Sequence, residues 1–281
     1  MKVNPYYERT YGEGRTARNP LLHNDFRHSQ FYSVSACQSS IDSLYLECKV
    51  RLPLRGDDMK IFQVGGSVRD KLLGVKSKDI DYAVECDSFL EMRQHIASIG
   101  TIFLEKPEFL TIRAKVNGEF ADYVMCRKDG HYSDNRRPDS VTPGTIMDDL
   151  ARRDFTMNAI AIDTETGTYL DPFNGIGDIA SMTIRCVGSN DRLIEDPLRL
   201  LRLIRFVIKL NFHIERELSD FIFDTEWKDL LASVSVERQR EELTKCMAMN
   251  TLQTLRLLSW FELDRCLFNG PLWLKPTLEG R

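Results

Sequence analysis

The sequence predicts an α+β fold, in which a head built on a small mixed sheet with flanking helices precedes a short all-helical region. Three observations carry this. From residue 60, short apolar segments bounded by turn residues alternate with stretches of helical period. An Asn117-Gly118 pair sits between two runs of alternating apolar residues, the strongest short hairpin signal. Beyond Asp196-Pro197 the apolar periodicity is helical for most of the remaining chain.

Taken in order, residues 61–64 read as a short buried strand. Residues 68–73 form a short helix closed by Gly74, since glycine takes the left-handed conformation that ends helices without a Cβ clash. Residues 80–84 are a second strand, and an amphipathic helix over 89–99 ends at Gly100. Residues 109–116 and 119–125 are the strands of the hairpin. Residues 127–143 are polar and turn-rich, so they are expected to be a loop. A helix near 146–152 follows, then a strand over 159–163, a turn over 164–167 and a short strand over 168–170.

Residues 1–58 read differently. They are rich in Asn, Ser, Tyr, Arg and Gly and show little periodicity, whereas Met59-Lys60-Ile61 looks like an ordinary protein start. The expectation is an N-terminal extension, poorly ordered in part or an artefact of start assignment, ahead of a domain over 59–182 and a helical region over 183–281.

Bulk properties narrow the function classes. Hydrophobic residues make up 42% and charged residues 28%, which is ordinary for a globular chain. No apolar run approaches the ~18–20 residues needed to span a bilayer, so no membrane role is expected. There is no basic segment leading into an apolar stretch at the start, and Glu8, Glu13 and Asp25 argue against a transit peptide. Seven cysteines stand singly, none in a C-x-x-C pair, which points to reduced thiols in the cytoplasm and not to structural zinc. The formal net charge of −4 means that any nucleic acid must be met by a local basic face.

Two features carry the chemistry. Gly65-Gly66-Ser67 lies between a strand and a helix, where glycine lets backbone approach an anion, and Arg69 lies one turn further on, a charge for a triphosphate. Asp79-Ile80-Asp81 opens the next strand, and strand alternation puts both carboxylates on one face. Paired carboxylates repel unless cations bridge them, and hard oxygen ligands suit Mg²⁺. Two such ions about 3.5–4 Å apart activate an attacking hydroxyl and stabilise a leaving group. Asp122, just past the Asn-Gly turn, is the candidate third carboxylate.

The segment VGGSVRDKLLGVKSKDID over residues 64–81 resembles the signature of class II CCA-adding enzymes and bacterial poly(A) polymerases, within the DNA polymerase beta superfamily. The resemblance continues through RRDFTMNAIAID at 152–163, DPFNGIGDI at 171–179 and EDPLRLLRLIRF at 195–206, and covers roughly 60–245. It implies a nucleotidyltransferase head over 59–182 and a nucleotide-selecting neck with a truncated body over 183–281. It implies that Asp79 and Asp81 hold two Mg²⁺ ions, with Asp122 as the third catalytic carboxylate, and that Gly65, Gly66, Ser67 and Arg69 meet the triphosphate. Arg153, Asp154 and Asn158 match the family's R-R-D-x-x-x-N and by resemblance contact triphosphate and ribose and brace the domains. The 127–143 loop, with Arg127, Tyr132, Asp134, Arg136 and Arg137, resembles the flexible loop that switches such enzymes from C to A addition. Asn135 stands where most members have Gly, a mild departure because Asn tolerates left-handed backbone.

Asp196 and Arg199 match the family's base-reading E-D-x-x-R, followed by Arg202, expected to contact the nucleotide, and by Arg205 and Lys209 in a basic stripe along one side of the helix, which meets the base, triphosphate or RNA backbone or is a solvated face. A carboxylate accepts from the exocyclic amine of cytosine or adenine, and a guanidinium donates to the adjacent ring nitrogen. Uracil and guanine present oxygen instead, and one such paired contact discriminates by about 1–3 kcal/mol. Read locally, Asp196 is simply an N-cap ahead of Pro197. Residues 237–243 resemble the family's E-R-x-x-x-E-L neck helix and read equally as an ion-paired helix. The reading is therefore addition of CMP and AMP, from CTP and ATP, to the 3′ end of an RNA, foremost tRNA. A poly(A) polymerase, a partial CC- or A-adding enzyme, or a silent RNA- or nucleotide-binding module are the alternatives. Only about 36 residues follow the neck-like helix, so the RNA grip is expected to be minimal or supplied elsewhere.

Overall fold

The computed structural model describes residues 9–11, 15–17, 59–77, 79–129 and 141–268. The expectations for residues 1–58 lie outside the described residues, apart from a hairpin pairing strands β1 (Arg9–Tyr11) and β2 (Arg15–Ala17).

The described residues form two units, one of 59–199 with 212–219 and one of 9–11, 15–17, 200–211 and 220–268. The first unit is built on a seven-stranded sheet. Its strands are β3 (Lys60–Val64), β4 (Ile80–Glu85), β5 (Gly100–Lys106), β6 (Thr111–Val116), β7 (Glu119–Met125), β10 (Ala161–Asp163) and β11 (Tyr169–Leu170). Between them in the chain lie β8 (Arg127–Asp129) and β9 (Val141–Pro143), which pair with each other. The sheet order is β11-β10-β3-β4-β7-β6-β5, and only the β4–β7 pairing is parallel, so the sheet is mixed as the sequence predicts.

Strand alternation gives the sheet two apolar faces. Phe62, Val64 and Ala83 face the helix Ile146–Ala151 through Ile146 and Leu150. Val84, Ile112, Ala114, Ala121 and Tyr123 face the helix Phe89–Ile99 through Met92 and Ile96. Each helix starts on a hydroxyl cap. Ser88 accepts from the Glu91 amide, and Thr145 and Asp148 form a reciprocal capping box, an arrangement that fixes where the helix begins. Asn117 and Gly118 both have positive φ, 52° and 87°, as a tight hairpin turn requires.

The structure corrects the reading in several places. Gly100 ends the helix but also opens β5, an edge strand that the sequence reading leaves out. Residues 107–109 form a 3₁₀ turn, so β6 starts at Thr111. The ends of the expected 127–143 loop are the paired strands β8 and β9. A helix at Gly175–Ala180, held by Asp171 accepting from the Gly175 and Ile176 amides, was also not predicted, because its small residues carry little periodicity.

Apart from the β1–β2 hairpin, the described residues of the second unit are helices and their connections. It takes the helix Leu198–Leu210 from Leu200 onward, together with Trp227–Ala232 and the long helix Val236–Trp260. Leu203, Ile204, Val207, Leu231, Leu243 and Leu258 are buried. Val236–Trp260 breaks at Asn250, whose φ of −159° and ψ of 98° are not helical; the Asn250 carboxamide oxygen accepts from the Gln253 amide and caps the restarted segment. Among the described residues no helix is long and apolar enough to cross a membrane, and the five described cysteines are free thiols.

Candidate active site

The site grows from the turn after β3. Gly65 adopts φ 73° and ψ −136°, a region that side chains rarely enter. A Cβ there would stand 2.8 Å from Arg153 Nη1. Glycine at 65 is thus needed twice, for the backbone and for the guanidinium packed over it. Ser67 is buried and its hydroxyl donates to the Val64 carbonyl at 3.0 Å, so it locks the turn.

The sheet register brings the carboxylates together. Asp81 on β4 pairs with Val64 on one side and with Asp122 on β7 on the other. Adjacent residues in register share a face, so Asp81 and Asp122 stand abreast. Asp79, one residue before β4, is exposed, and its carbonyl accepts from the Ser77 hydroxyl at 2.8 Å. Burial pushes the Asp81 carboxyl above the usual aspartate range. Arg153 and, more weakly, Arg113 pull it back, while Asp122 and Asp79 push it further. The three carboxylates therefore share one electrostatic environment.

These residues fit Mg²⁺. The donor set is hard oxygen, and the mutual repulsion seen at Asp81 is what a bound cation relieves. Among the described residues no three His, Cys, Asp or Glu side chains converge into an all-protein cage. Mg²⁺ commonly binds one or two carboxylates and completes its shell with water and substrate phosphates.

Arg153 is held by Asp149, a residue the sequence reading leaves out. Arg153 donates from Nε and Nη2 to Asp149 Oδ2, at 3.2 and 2.8 Å, and from Nη1 to the Asn158 carbonyl at 3.3 Å. Arg152 donates to Asp149 Oδ1, from Nε at 3.0 Å and also from Nη2. The Asp149 side chain is 2% exposed. Burial pushes its carboxyl up, but the two guanidiniums outweigh this and hold it below the usual range. The signal was present: acid and arginines stand at spacings of three and four on one helix. Arg113, opposite Asp122 with Nε 3.8 Å from Oδ1, was likewise missed.

Arg69, Asp154 and Asn158 come together as an internal brace. Arg69 Nη1 donates to Asn158 Oδ1 at 2.7 Å, and its Nε and Nη2 donate to Asp70. Asn158 Nδ2 and the Phe155 amide both donate to Asp154 Oδ1. Arg69, Asp154 and Asn158 are all buried, so this network ties the helix Gly66–Leu72 to the 152–158 segment. Gly66 leaves room for the Arg69 guanidinium, 3.4 Å from where its Cβ would be.

Further along the first unit, Asp196 Oδ1 accepts from the Leu198 amide at 3.3 Å, a long cap bond. Arg199 Nη1 donates to the Arg192 carbonyl at 2.9 Å and to Glu195 Oε2 at 3.1 Å, and Nη2 reaches the Arg152 carbonyl at 3.4 Å. In the second unit Arg202 lies 5.9 Å from the Phe206 ring. Arg205 is not part of a free basic stripe: it donates to the buried Glu242 at 2.6 Å and stacks on Phe206 at 4.5 Å. Glu242 also accepts from Lys245, so the 237–243 motif contributes a carboxylate anchor. Arg127 lies in β8, half-buried, whereas Tyr132, Asp134, Asn135, Arg136 and Arg137 lie outside the described residues.

Residues 61–185 match the poly(A) polymerase head domain family. A CCA-adding enzyme of Geobacillus thermodenitrificans is 40% identical over 189 residues, 66% of this chain and 45% of that protein. One of Lactobacillus johnsonii is 38% identical over 184 residues, 65% of this chain and 44% of that protein. The chain thus spans a little under half the length of these relatives. Among solved structures, a Bacillus stearothermophilus CCA-adding enzyme in complex with CTP superposes with a TM-score of 0.65 at 31% identity, over 83% of this chain and 54% of that one. A Thermotoga maritima CCA-adding enzyme complexed with tRNA superposes with a TM-score of 0.63 at 29% identity, over 76% of this chain and 50% of that one.

Proposed function

We propose, from the match of residues 61–185 to the poly(A) polymerase head domain family, that this chain is a template-independent nucleotidyltransferase adding CMP and AMP, from CTP and ATP, to the 3′ end of tRNA. The observation that supports this most is the parallel β4–β7 register, which sets Asp81 beside Asp122 with Arg153 packed over Gly65 close by. On this reading residues 59–182 are the catalytic head and 183–281 the nucleotide-selecting part, and the five unpaired described cysteines support a cytoplasmic setting.

In the reaction the 3′ hydroxyl oxygen of the RNA attacks the α-phosphorus of the nucleotide. The bond from that phosphorus to the oxygen bridging the β-phosphate breaks, pyrophosphate leaves, and the hydroxyl proton passes to solvent. Two Mg²⁺ ions held by Asp79 and Asp81, with Asp122, would supply activation of the hydroxyl and neutralisation of the pyrophosphate. Arg153 presents positive charge to the triphosphate over the Gly65 turn, and Asp149 fixes its orientation beforehand, so no reorganisation is needed when the phosphate arrives. Arg69, Asp154 and Asn158 keep that turn and the 152–158 segment in one geometry. Base choice falls to Asp196 and Arg199. The cap bond of Asp196 is long enough to yield to an exocyclic amine, and Arg199 is already oriented by Glu195 and two carbonyls.

The test offers the purified chain three tRNAs, ending before CCA, after C and after CC, with CTP and ATP separately and together. Ordered addition of C, C and A supports the proposal. Long A tails identify a poly(A) polymerase, addition that stops at CC or only adds A identifies a partial enzyme, and no Mg²⁺-dependent incorporation identifies a binding module; each of these overturns it.

A further inference from the structure

The catalytic carboxylates sit at one end of a row that continues across the sheet. Asp81 pairs with Asp122, Asp122 with Arg113, and Arg113 with Leu104 on the edge strand β5. In the next row Phe120 pairs with Lys115. Residues in register share a face, so this is one surface, opposite the face buried under Phe89–Ile99.

Its composition is unusual for a solvent face. A bulge in β5 between Ile102 and Leu104 leaves Phe103 unmatched. The extra residue puts Phe103 and Leu104 in succession on the open side, where alternation alone would have buried one of them. Phe103 is 58% exposed, Leu104 47% and Phe120 50%. The Phe103 and Phe120 rings lie 5.1 Å apart, and Lys115 Nζ stands 5.4 Å from the Phe120 ring. Aromatic faces with cations between them are what a single-stranded nucleic acid uses, bases on rings and phosphates on cations.

We propose that this face, from Asp122 to the bulge in β5, seats the last nucleotides of the acceptor RNA, with Phe103 and Phe120 as a stacking platform and Arg113 and Lys115 as phosphate contacts. The proposal rests on the nucleotidyl-transfer reading above and names where its RNA lies. Charge fits: the two cations flank an otherwise carboxylate-lined centre on a chain of net charge −4. Position fits as well: three strand spacings separate Asp81 from Leu104, roughly 14 Å, enough for about four stacked nucleotides at ~3.4 Å each. A 3′ hydroxyl delivered along this row arrives at Asp122.

The test uses the full chain and a fluorescent RNA hairpin ending in a three-nucleotide single strand. Binding is read by anisotropy without nucleotide, and incorporation is read with CTP and ATP. Phe103→Ala/Phe120→Ala should weaken RNA binding and raise KM for RNA, each by at least roughly tenfold, while KM for ATP stays within twofold. Phe120→Tyr, which keeps the ring, should retain wild-type affinity, and Leu90→Ala, an exposed apolar residue on the Phe89–Ile99 helix, should change nothing. Unchanged RNA affinity in the double variant overturns the proposal. Unchanged RNA affinity with loss of self-association would make the face a contact between copies and overturns it too. Because binding is measured without turnover, a wild-type chain that incorporates nothing would refute the activity while leaving the surface still tested by its RNA affinity.

Discussion

Asp149→Asn is the perturbation that most directly separates a built site from an incidental one. The wild-type carboxylate, 2% exposed, accepts from both Arg152 and Arg153. Asparagine keeps the shape but loses the charge, and its N–H₂ replaces the oxygen that serves one of the two guanidiniums, which has only donors to offer. Breaking a buried ion pair from one side costs about 3–5 kcal/mol. Here the arginines are 29% and 22% exposed and can recruit water, which places the loss at the low end, near ~3 kcal/mol. With the N–H₂ at the Oδ2 position Arg153 loses two of its three hydrogen bonds and keeps the one to the Asn158 carbonyl; with it at Oδ1 Arg153 keeps an acceptor but loses the ion pair. A misplaced phosphate contact of that kind lowers kcat/KM by about 10²-fold. Urea titration at pH 7 reads the first quantity, and incorporation into a tRNA ending in CC, assayed well below the melting temperature, reads the second. The pH dependence provides an internal check. The folded carboxyl lies below its ordinary range, so its contribution is present above that range and is lost as pH falls through the folded value. The gap between wild type and variant should therefore narrow in acid. A variant within 0.5 kcal/mol of wild type, by the ~±0.5 kcal/mol typical of neutral surface changes, and with unaltered kcat/KM would refute the role given to Asp149.

Other outcomes follow from the same geometry. Gly65→Ala should cost about 1–3 kcal/mol in urea titration, from the strained backbone and the 2.8 Å approach to Arg153, and should depress incorporation beyond what lost folding explains. Asp79→Ala and Asp81→Ala should each abolish Mg²⁺-dependent incorporation with unchanged circular dichroism; near-normal turnover in either would remove it from the metal site. Arg199→Ala should let UTP compete with CTP and ATP by roughly 5- to 150-fold more, matching about 1–3 kcal/mol of lost discrimination in competition assays. Glu242→Gln should lower stability at pH 7 by about 2–3 kcal/mol. Burial raises the Glu242 carboxyl, but Arg205 and Lys245 outweigh it, so the difference from wild type should shrink as pH drops below the ordinary glutamate range.

What the sequence disclosed depended on whether a residue's role was local. The Phe89–Ile99 helix is bounded by Ser88 and Gly100, both local signals, and its limits agree with the structure. The Asn117-Gly118 turn is local too. Strand β5 escaped because its apolar residues are largely exposed and Gly100 reads as a stop. At the site, alternation and family resemblance name the carboxylates, of which the register sets Asp81 beside Asp122 while Asp79 precedes β4, but they do not name the carboxylates' partners. Whether Arg69 points at a ligand or at Asn158, 89 positions away, depends on a contact no spacing encodes. Arg205 looked like part of a solvated stripe because Glu242, its partner, lies 37 positions downstream.

The parallel pairing of β4 with β7 also bears on how this chain acquires activity. Between Asp81 and Asp122 the chain must complete a helix and two further strands before β7 can return beside β4. Closing that long loop is entropically expensive and belongs late in folding. The two negative charges are thus kept apart while the chain is loose and meet only once apolar packing on both sheet faces can hold them together. A nascent chain that has emerged only through β6 lacks Asp122 and the β7 strand that sets it beside Asp81, so on the proposed reading the carboxylate pair exists only once β7 has docked.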